Sequence, residues 1–140
     1  MEWKVYNYTV EFSELRGGFV SRPMINLTII GAKKSYNCFS LIDSGTDSTM
    51  INADFAELLG IDESKCRKVK VGSVEELTRN GFASEIKFKV EGFEEEFKTN
   101  IIFLKDMPTA GLLGQIDFFE NFKIRFEKRD KKFYLQREKN

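Results

Sequence analysis

The chain has 140 residues, with 22 basic and 22 acidic side chains and no histidine. This length is typical of one domain with its own core, and the zero net charge argues against a nucleic-acid-binding protein, which normally carries a basic surplus. Without histidine, the chain lacks the usual ligands of a zinc site and the base of a Ser-His-Asp or Cys-His centre.

The two cysteines, Cys38 and Cys66, lie far apart and form no CxxC pair. The first residues alternate between polar and apolar types, unlike a secretory leader, and no stretch approaches the 18 or so apolar residues of a membrane helix. We therefore expect free thiols, a cytoplasmic location, no metal or other cofactor, and no nucleic-acid or membrane partner.

In chain order, short segments of alternating polarity predict a mostly-β domain. Strands are expected at residues 5–10, 24–30, 37–42, 86–90, 93–104, 122–126 and 133–135. The last two form a terminal hairpin around a turn at residues 128–131. Short helices are expected at residues 52–60, where Asn52 is a plausible N-cap and Gly60 a plausible stop, and at residues 115–121.

The most informative segment is residues 39–51, where an apolar run leads into Asp43-Ser44-Gly45-Thr46 and a second apolar pair follows. A buried strand that ends in a carboxylate fixes the acid at the floor of a cleft, and the glycine permits close approach of another backbone. The two hydroxyl side chains are expected to donate hydrogen bonds beside the carboxylate. Asp-Ser-Gly alone is also typical of a surface turn, but the apolar flanks favour a functional loop.

A second segment, residues 110–119, contains Leu112-Leu113-Gly114 followed by a Phe-rich helix. Leu-Ile-Asp-Ser-Gly-Thr and, about 70 residues later, Leu-Leu-Gly together resemble the retropepsin-like aspartic protease family. The resemblance runs from Arg22-Pro23 to the terminal hairpin, and residues 1–20 form an N-terminal extension outside it. It implies one domain over residues 1–140, with an all-β acid-protease barrel, two short helices and closure as a C2 homodimer.

The resemblance also implies roles for individual residues. Asp43 would be the catalytic aspartate, and the Ser44 hydroxyl would link the two active-site loops across the dimer axis. The carbonyl of Gly45 would receive the substrate backbone, Thr46 would support the catalytic loop, and Asp47 would lie at the substrate-binding edge. The dimer interface would include the Asp43 loop and the terminal strand at residues 133–136.

A flap that closes over substrate is expected between residues 71 and 82, with its tip at residues 74–80 and with Val74 and Leu77 near the substrate. Two features depart from the family pattern. Gln115 stands where retroviral enzymes carry an arginine, and the flap segment is acidic and lacks the usual paired glycines.

Peptide hydrolysis of this type needs two facing carboxylates that share one proton. The chain contains one Asp-Ser-Gly, so twofold symmetry is the simplest source of the second. We therefore expect an aspartic endopeptidase in which paired Asp43 carboxylates activate water. Two alternatives stay open: a catalytically silent retropepsin-like dimer that binds peptides or acts as a scaffold, and an unrelated β-barrel in which Asp-Ser-Gly is only a turn.

Overall fold

The computed structural model describes residues 2–72 and 78–138. In these ranges the chain forms one short α-helix, α1 (Asp54–Leu58), and twelve strands. The strands are β1 (Lys4–Asn7), β2 (Thr9–Ser13), β3 (Gly18–Arg22), β4 (Met24–Ile30), β5 (Ser35–Ile42), β6 (Met50–Asn52), β7 (Arg67–Gly72), β8 (Thr78–Val90), β9 (Glu96–Leu104), β10 (Gly111–Leu113), β11 (Phe122–Glu127) and β12 (Lys132–Arg137). The predicted all-β class is confirmed.

Seven strands form one sheet in the order β4-β5-β10-β6-β9-β8-β7. Pairing of β4 with β8 closes six of them into a barrel, and β7 extends beyond it along β8. Alternation along β8 shows which of its faces lines the core, because Ile86, Phe88 and Val90 are buried while the lysines between them point outward. Within the barrel, β5 and β10 run parallel and side by side. This pair carries the two loops that the sequence singled out.

The core is rich in aromatic side chains that connect the barrel to the C-terminal strands. Phe118 stacks on Phe122 with ring centroids 5.0 Å apart, and Phe97 contacts Phe122 at 5.5 Å. Such ring pairs add to the free energy gained from burial alone. The segment after β10 is thereby held against the base of the barrel.

A three-stranded sheet of order β1-β12-β11 lies beside the barrel. The predicted terminal hairpin is present as β11 and β12, and Tyr6 of β1 stacks on Phe133 of β12 at 5.0 Å. Both hydrogen-bonding edges of β12 are occupied within the chain. A strand from a second copy could therefore pair with β1 or β11 but not directly with β12. The predicted place of residues 133–136 in a dimer interface stays a prediction.

Several element boundaries differ from the prediction for local reasons. The strand expected at residues 5–10 is broken at Tyr8, whose N–H donates to the carbonyl of Lys131 at 2.8 Å. Helix α1 is shorter than expected, because it begins at Asp54. The N–H of Asp54 donates to the side chain of Asn52, which lies outside the helix. Gly60 ends this region with a positive φ of 73°, as predicted.

The second predicted helix is a single π-helical turn over Gln115–Phe119. In the ranges that the structure describes, no helix is both long enough and apolar enough to cross a membrane.

Candidate active site

Asp43 follows directly after β5, and its backbone is held from two sides. Its N–H donates to the carbonyl of Leu113 on β10 at 3.0 Å, and the N–H of Ile42 donates to the carbonyl of Pro23 at 3.0 Å. Ile42 and Leu113 are both buried. The strand pair thus forms a rigid floor from which the half-buried Asp43 side chain emerges.

The carboxylate of Asp43 is oriented by the glycine two residues later. Its Oδ1 accepts a hydrogen bond from the N–H of Gly45 at 2.9 Å. A Cβ atom at Gly45 would lie 3.2 Å from the same oxygen, so a side chain here would crowd the carboxylate. In the described part of the chain no donor reaches Oδ2, which leaves this oxygen open to water or to another carboxyl group.

Thr46 is buried beneath the loop, but its hydroxyl does not reach Asp43. Its Oγ1 donates to the carbonyl of Ser48 at 3.0 Å. A hydroxyl has one proton to donate, so the expectation of a hydrogen bond to the Asp43 carboxylate was wrong. Thr46 instead stabilises the loop through a hydrogen bond to its backbone.

Ser44 and Asp47 are exposed on either side of this loop. Within the described residues, the Ser44 hydroxyl makes no hydrogen bond and the Asp47 carboxylate has no basic partner. Both side chains are therefore accessible to a ligand or a second chain, which is compatible with the roles that the resemblance implies.

Gln115 joins the segment after β10 to the Asp43 loop. Its side-chain amide donates to the carbonyl of Ser44 at 2.8 Å, and its backbone N–H donates to the carbonyl of Thr46 at 3.0 Å. The next residue, Ile116, donates its N–H to the carbonyl of Asp47 at 2.8 Å. At the position where an arginine was expected, a neutral amide thus holds the two loops together.

A buried cluster around Asp117 lies beneath these two loops. The N–H of Thr49 donates to both carboxylate oxygens of Asp117 at 3.1 Å, and the Thr49 hydroxyl also donates to this carboxylate. The same hydroxyl accepts from the N–H of Gly114 at 3.1 Å. Burial raises the pKa of Asp117, and the hydrogen bonds from Thr49 oppose that rise.

The sequence interpretation did not identify the role of Asp117. The available signal was an acidic residue between two apolar residues, Ile116 and Phe118. Acidic side chains are rarely buried unless they are paired, so an acid in an apolar segment indicates a carboxylate with hydrogen-bond partners inside the protein. Because Thr49 occupies its oxygens, Asp117 is poorly placed to act as a second catalytic carboxylate.

Gly114 is the point at which the two loops touch. A Cβ atom there would lie 2.7 Å from the carbonyl carbon of Ser48 and 2.9 Å from the carbonyl oxygens of Ser48 and Thr46. Its φ is negative (−108°), so the requirement for glycine is steric rather than conformational. The glycine of the second predicted motif therefore permits the contact between the loops.

Strands β7 and β8 pair as an antiparallel hairpin in which Gly72 lies opposite Thr78. This hairpin occupies the region assigned to the flap. Val74 and Leu77, which were expected to face the substrate, lie outside the described residues.

No protein-family model matches the sequence, and no curated protein matches it. Among solved structures, the chain is similar to a retropepsin-like aspartic protease from Rickettsia conorii, with a TM-score of 0.56 and 18% identity over 96% of this chain and 95% of that one. It is also similar to the retroviral protease-like domain of Ddi1 from Leishmania major, with a TM-score of 0.45 and 14% identity over 71% of this chain and 85% of that one. The chain has the retropepsin-like fold.

Proposed function

We propose that this chain is one subunit of a homodimeric aspartic endopeptidase and that Asp43 is its catalytic carboxylate. The observation that carries the proposal is the placement of Asp43 within a retropepsin-like fold. Its carboxylate stands at the open end of a buried parallel strand pair, oriented through one oxygen by Gly45 and open at the other.

In the proposed dimer, the two Asp43 carboxylates face each other across the twofold axis and share one proton, because two like charges so close cannot both persist. One carboxylate removes a proton from water, which attacks the peptide carbonyl carbon, while the other donates its proton to the carbonyl oxygen. Collapse of the tetrahedral intermediate then breaks the C–N bond. The leaving amine takes the proton that the first carboxylate removed from water, and the second carboxylate recovers its proton from the intermediate's hydroxyl group as the carbonyl re-forms.

The other residues of the Asp43 loop have supporting roles in this proposal. The exposed Ser44 hydroxyl links the two loops across the axis, and the carbonyl of Gly45 receives the substrate backbone. Asp47 lies at the edge of the substrate site, and Val74 and Leu77 of the flap cover the bound peptide. A cytoplasmic location agrees with the free thiols of the chain.

The substitution Asp43→Asn tests this function. We expect it to abolish cleavage of a casein or peptide substrate, because an amide cannot share the proton. The fold should be retained or slightly stabilised, since the repulsion between the carboxylates is removed. Asp54→Asn, which removes an exposed carboxylate on α1, is the control and should leave cleavage unchanged.

Turnover by a pure Asp43→Asn preparation would eliminate Asp43 as the catalyst. The acidic flap segment, with Glu75 and Glu76 in place of paired glycines, favours one alternative, a catalytically silent peptide-binding or scaffold dimer. That protein would bind pepstatin or a peptide in the wild-type form without cleaving any substrate.

A further inference from the structure

Strands β2 and β3 form a separate two-stranded hairpin with a large apolar face. Phe12 and Phe19 lie opposite each other on this face, with their rings edge to face at a centroid distance of 5.6 Å. The two rings are 61% and 75% exposed, Val10 beside them is 58% exposed, and Leu15 in the turn is 95% exposed. Within the described residues, this is a continuous apolar surface that the rest of the chain leaves largely uncovered.

The hairpin is anchored at its base. The N–H of Tyr8 donates to the carbonyl of Lys131, and the side chain of Lys128 donates to the carbonyl of Ser21, both at 2.8 Å. Each strand of the hairpin has five residues and spans about 16 Å, and these anchors hold only one end of it. An isolated two-stranded hairpin is only marginally stable in water, so its apolar face is expected to pack against something.

The base of the hairpin lies next to the candidate active site. β3 ends at Arg22, and the carbonyl of the next residue, Pro23, accepts from the N–H of Ile42. Ile42 in turn precedes Asp43. The hairpin therefore starts beside the loop at which a second copy must approach if two Asp43 carboxylates are to meet.

The charge of the hairpin also distinguishes between possible occupants. Residues 9–22 contain two acidic side chains, Glu11 and Glu14, and two basic ones, Arg16 and Arg22. This balance provides no basic surface for an anionic membrane or a nucleic acid, and it does not repel an identical segment. An apolar face with zero net charge suits a twofold interface, in which the same surface occurs on both subunits.

We infer that the β2–β3 hairpin is a dimerisation arm, which packs its Phe12–Phe19 face against a second copy of this chain beside the Asp43 loop. The inference rests on the proposed function in one respect, since the shared catalytic pair is what requires a second copy at this position. The arm adds an interface to the contacts between the Asp43 loops themselves.

The test is a measurement of the dimer dissociation constant by sedimentation equilibrium in the Asp43→Asn background, which prevents self-cleavage. The double substitution Phe12→Thr and Phe19→Thr keeps strand propensity with β-branched residues while removing both rings. We expect it to raise the dissociation constant by at least roughly 100-fold, because the twofold interface loses four partly buried aromatic rings, two from each subunit. Leu58→Gln on α1, which replaces another exposed apolar side chain (56%), is the matched control and should leave the constant unchanged.

Phe19→Thr alone, at the more exposed ring, should raise the constant by a smaller factor, and circular dichroism should show that each variant remains folded. With Asp43 restored, activity of the double variant should be lost on dilution and regained at high enzyme concentration. A dissociation constant equal to that of Leu58→Gln would overturn the arm, while cleavage by the double variant with Asp43 restored would leave the proposed function intact. A wild-type chain that stays monomeric at high concentration would also overturn the arm, and cleavage by that monomer would refute the shared catalytic pair as well.

Discussion

Two buried threonines stabilise the Asp43 loop in different ways. The Thr46 hydroxyl donates to the carbonyl of Ser48, whereas the Thr49 hydroxyl both donates to Asp117 and accepts from the N–H of Gly114. Neither hydroxyl contacts the Asp43 carboxylate. The loop is therefore held without a bond from either threonine to the Asp43 carboxylate, whose Oδ1 accepts from the N–H of Gly45 and whose Oδ2 has no donor among the described residues.

Thr46→Ala separates a structural role from a catalytic one. Loss of one hydrogen bond to a backbone carbonyl should lower the free energy of unfolding by about 0.5–1.5 kcal/mol. The pH–rate profile of peptide cleavage should keep its acid limb, because the hydroxyl does not contact Asp43. Thr46→Ser, which retains a hydroxyl, should recover most of the stability, whereas a displaced acid limb in an intact dimer would contradict this assignment.

Asp117 predicts a pH dependence of stability. Burial raises its pKa above the value in the unfolded chain, so the folded protein holds a proton that the unfolded chain releases. Its contribution to the free energy of unfolding is greatest below the ordinary aspartate pKa of about 3.9 and is lost as the pH rises through the folded-state pKa.

Asparagine at position 117 does not titrate. The unfolding free energy of the wild type relative to Asp117→Asn should therefore fall as the pH rises above about 4. Urea unfolding at a series of pH values and constant protein concentration measures this difference. A difference that grows with pH would show that the hydrogen bonds from Thr49 outweigh burial.

Whether the role of a residue could be predicted depended on whether that role involves its neighbours in the sequence or distant residues of the folded chain. Asp43 could be proposed as the site carboxylate because a carboxylate, a small hydroxyl residue and glycine lie together after an apolar run. The partners of Thr46 and Asp117 were not identifiable, because they depend on which of several nearby carbonyls or amides the folded chain presents. Gln115 was noted as a departure from the family pattern, but its bond to Ser44 depends on contact between distant loops.

The two loops that follow β5 and β10 behave as one unit, because the strands before them are parallel neighbours. Gly114 sits where the loops touch, and its position excludes a side chain. The alternation of each strand is a local property, so most strands could be predicted. The π-helical turn at Gln115–Phe119 could not, because its apolar residues fit an ordinary helix equally well and its contacts, such as Phe118 on Phe122, are made in the folded chain.

Gly114→Ala should disturb the Asp43 loop without contacting Asp43 directly. The added Cβ would meet backbone atoms of Ser48 and Thr46, which cannot rotate away. We expect a loss of about 1–3 kcal/mol in unfolding free energy, as is typical of overpacking. We also expect kcat/KM to fall about 100-fold if the loop shifts by as much as 1 Å.

Gly31→Ala is the control for this substitution, because its Cβ would also meet a backbone atom, the carbonyl oxygen of Lys34 at 2.6 Å, but in the turn at the opposite end of β5 from Asp43. It should lower stability without the loss of kcat/KM. Cleavage assays and urea unfolding of both variants provide the comparison. Equal kcat/KM for the two variants would show that contact between the loops is not needed for activity.

One copy of the chain supplies half of the proposed catalytic site. The chain supplies one Asp-Ser-Gly loop, and the other buried acid near it, Asp117, is bonded to Thr49. The fold could be predicted from the order of motifs because that order matches the retropepsin-like barrel. The β2–β3 hairpin was outside this pattern, so neither its pairing nor its exposed face was foreseen.

Activity should therefore depend on enzyme concentration. Light scattering at micromolar concentration should give about twice the chain mass of 16.3 kDa, and specific activity should fall on dilution as dimers separate. Mixing wild type with excess Asp43→Asn subunits should lower the activity further, because each mixed dimer has one carboxylate at the axis. Specific activity that is independent of both dilution and mixing would argue for a site complete within one chain.

The pairing of β1 with β12 also affects the order in which the protein folds. Asn7 and Lys132, which face each other in this pair, are 125 positions apart. Contacts so distant in sequence require closure of a very long loop and are slow to form. During synthesis, β1 therefore has no strand to pair with until almost all of the domain has been made. The β2–β3 hairpin follows β1 and is anchored at Lys128 and Lys131, so its base also becomes ordered late. Until then, the partly synthesised chain has no ordered dimerisation arm with which to bind a neighbouring chain.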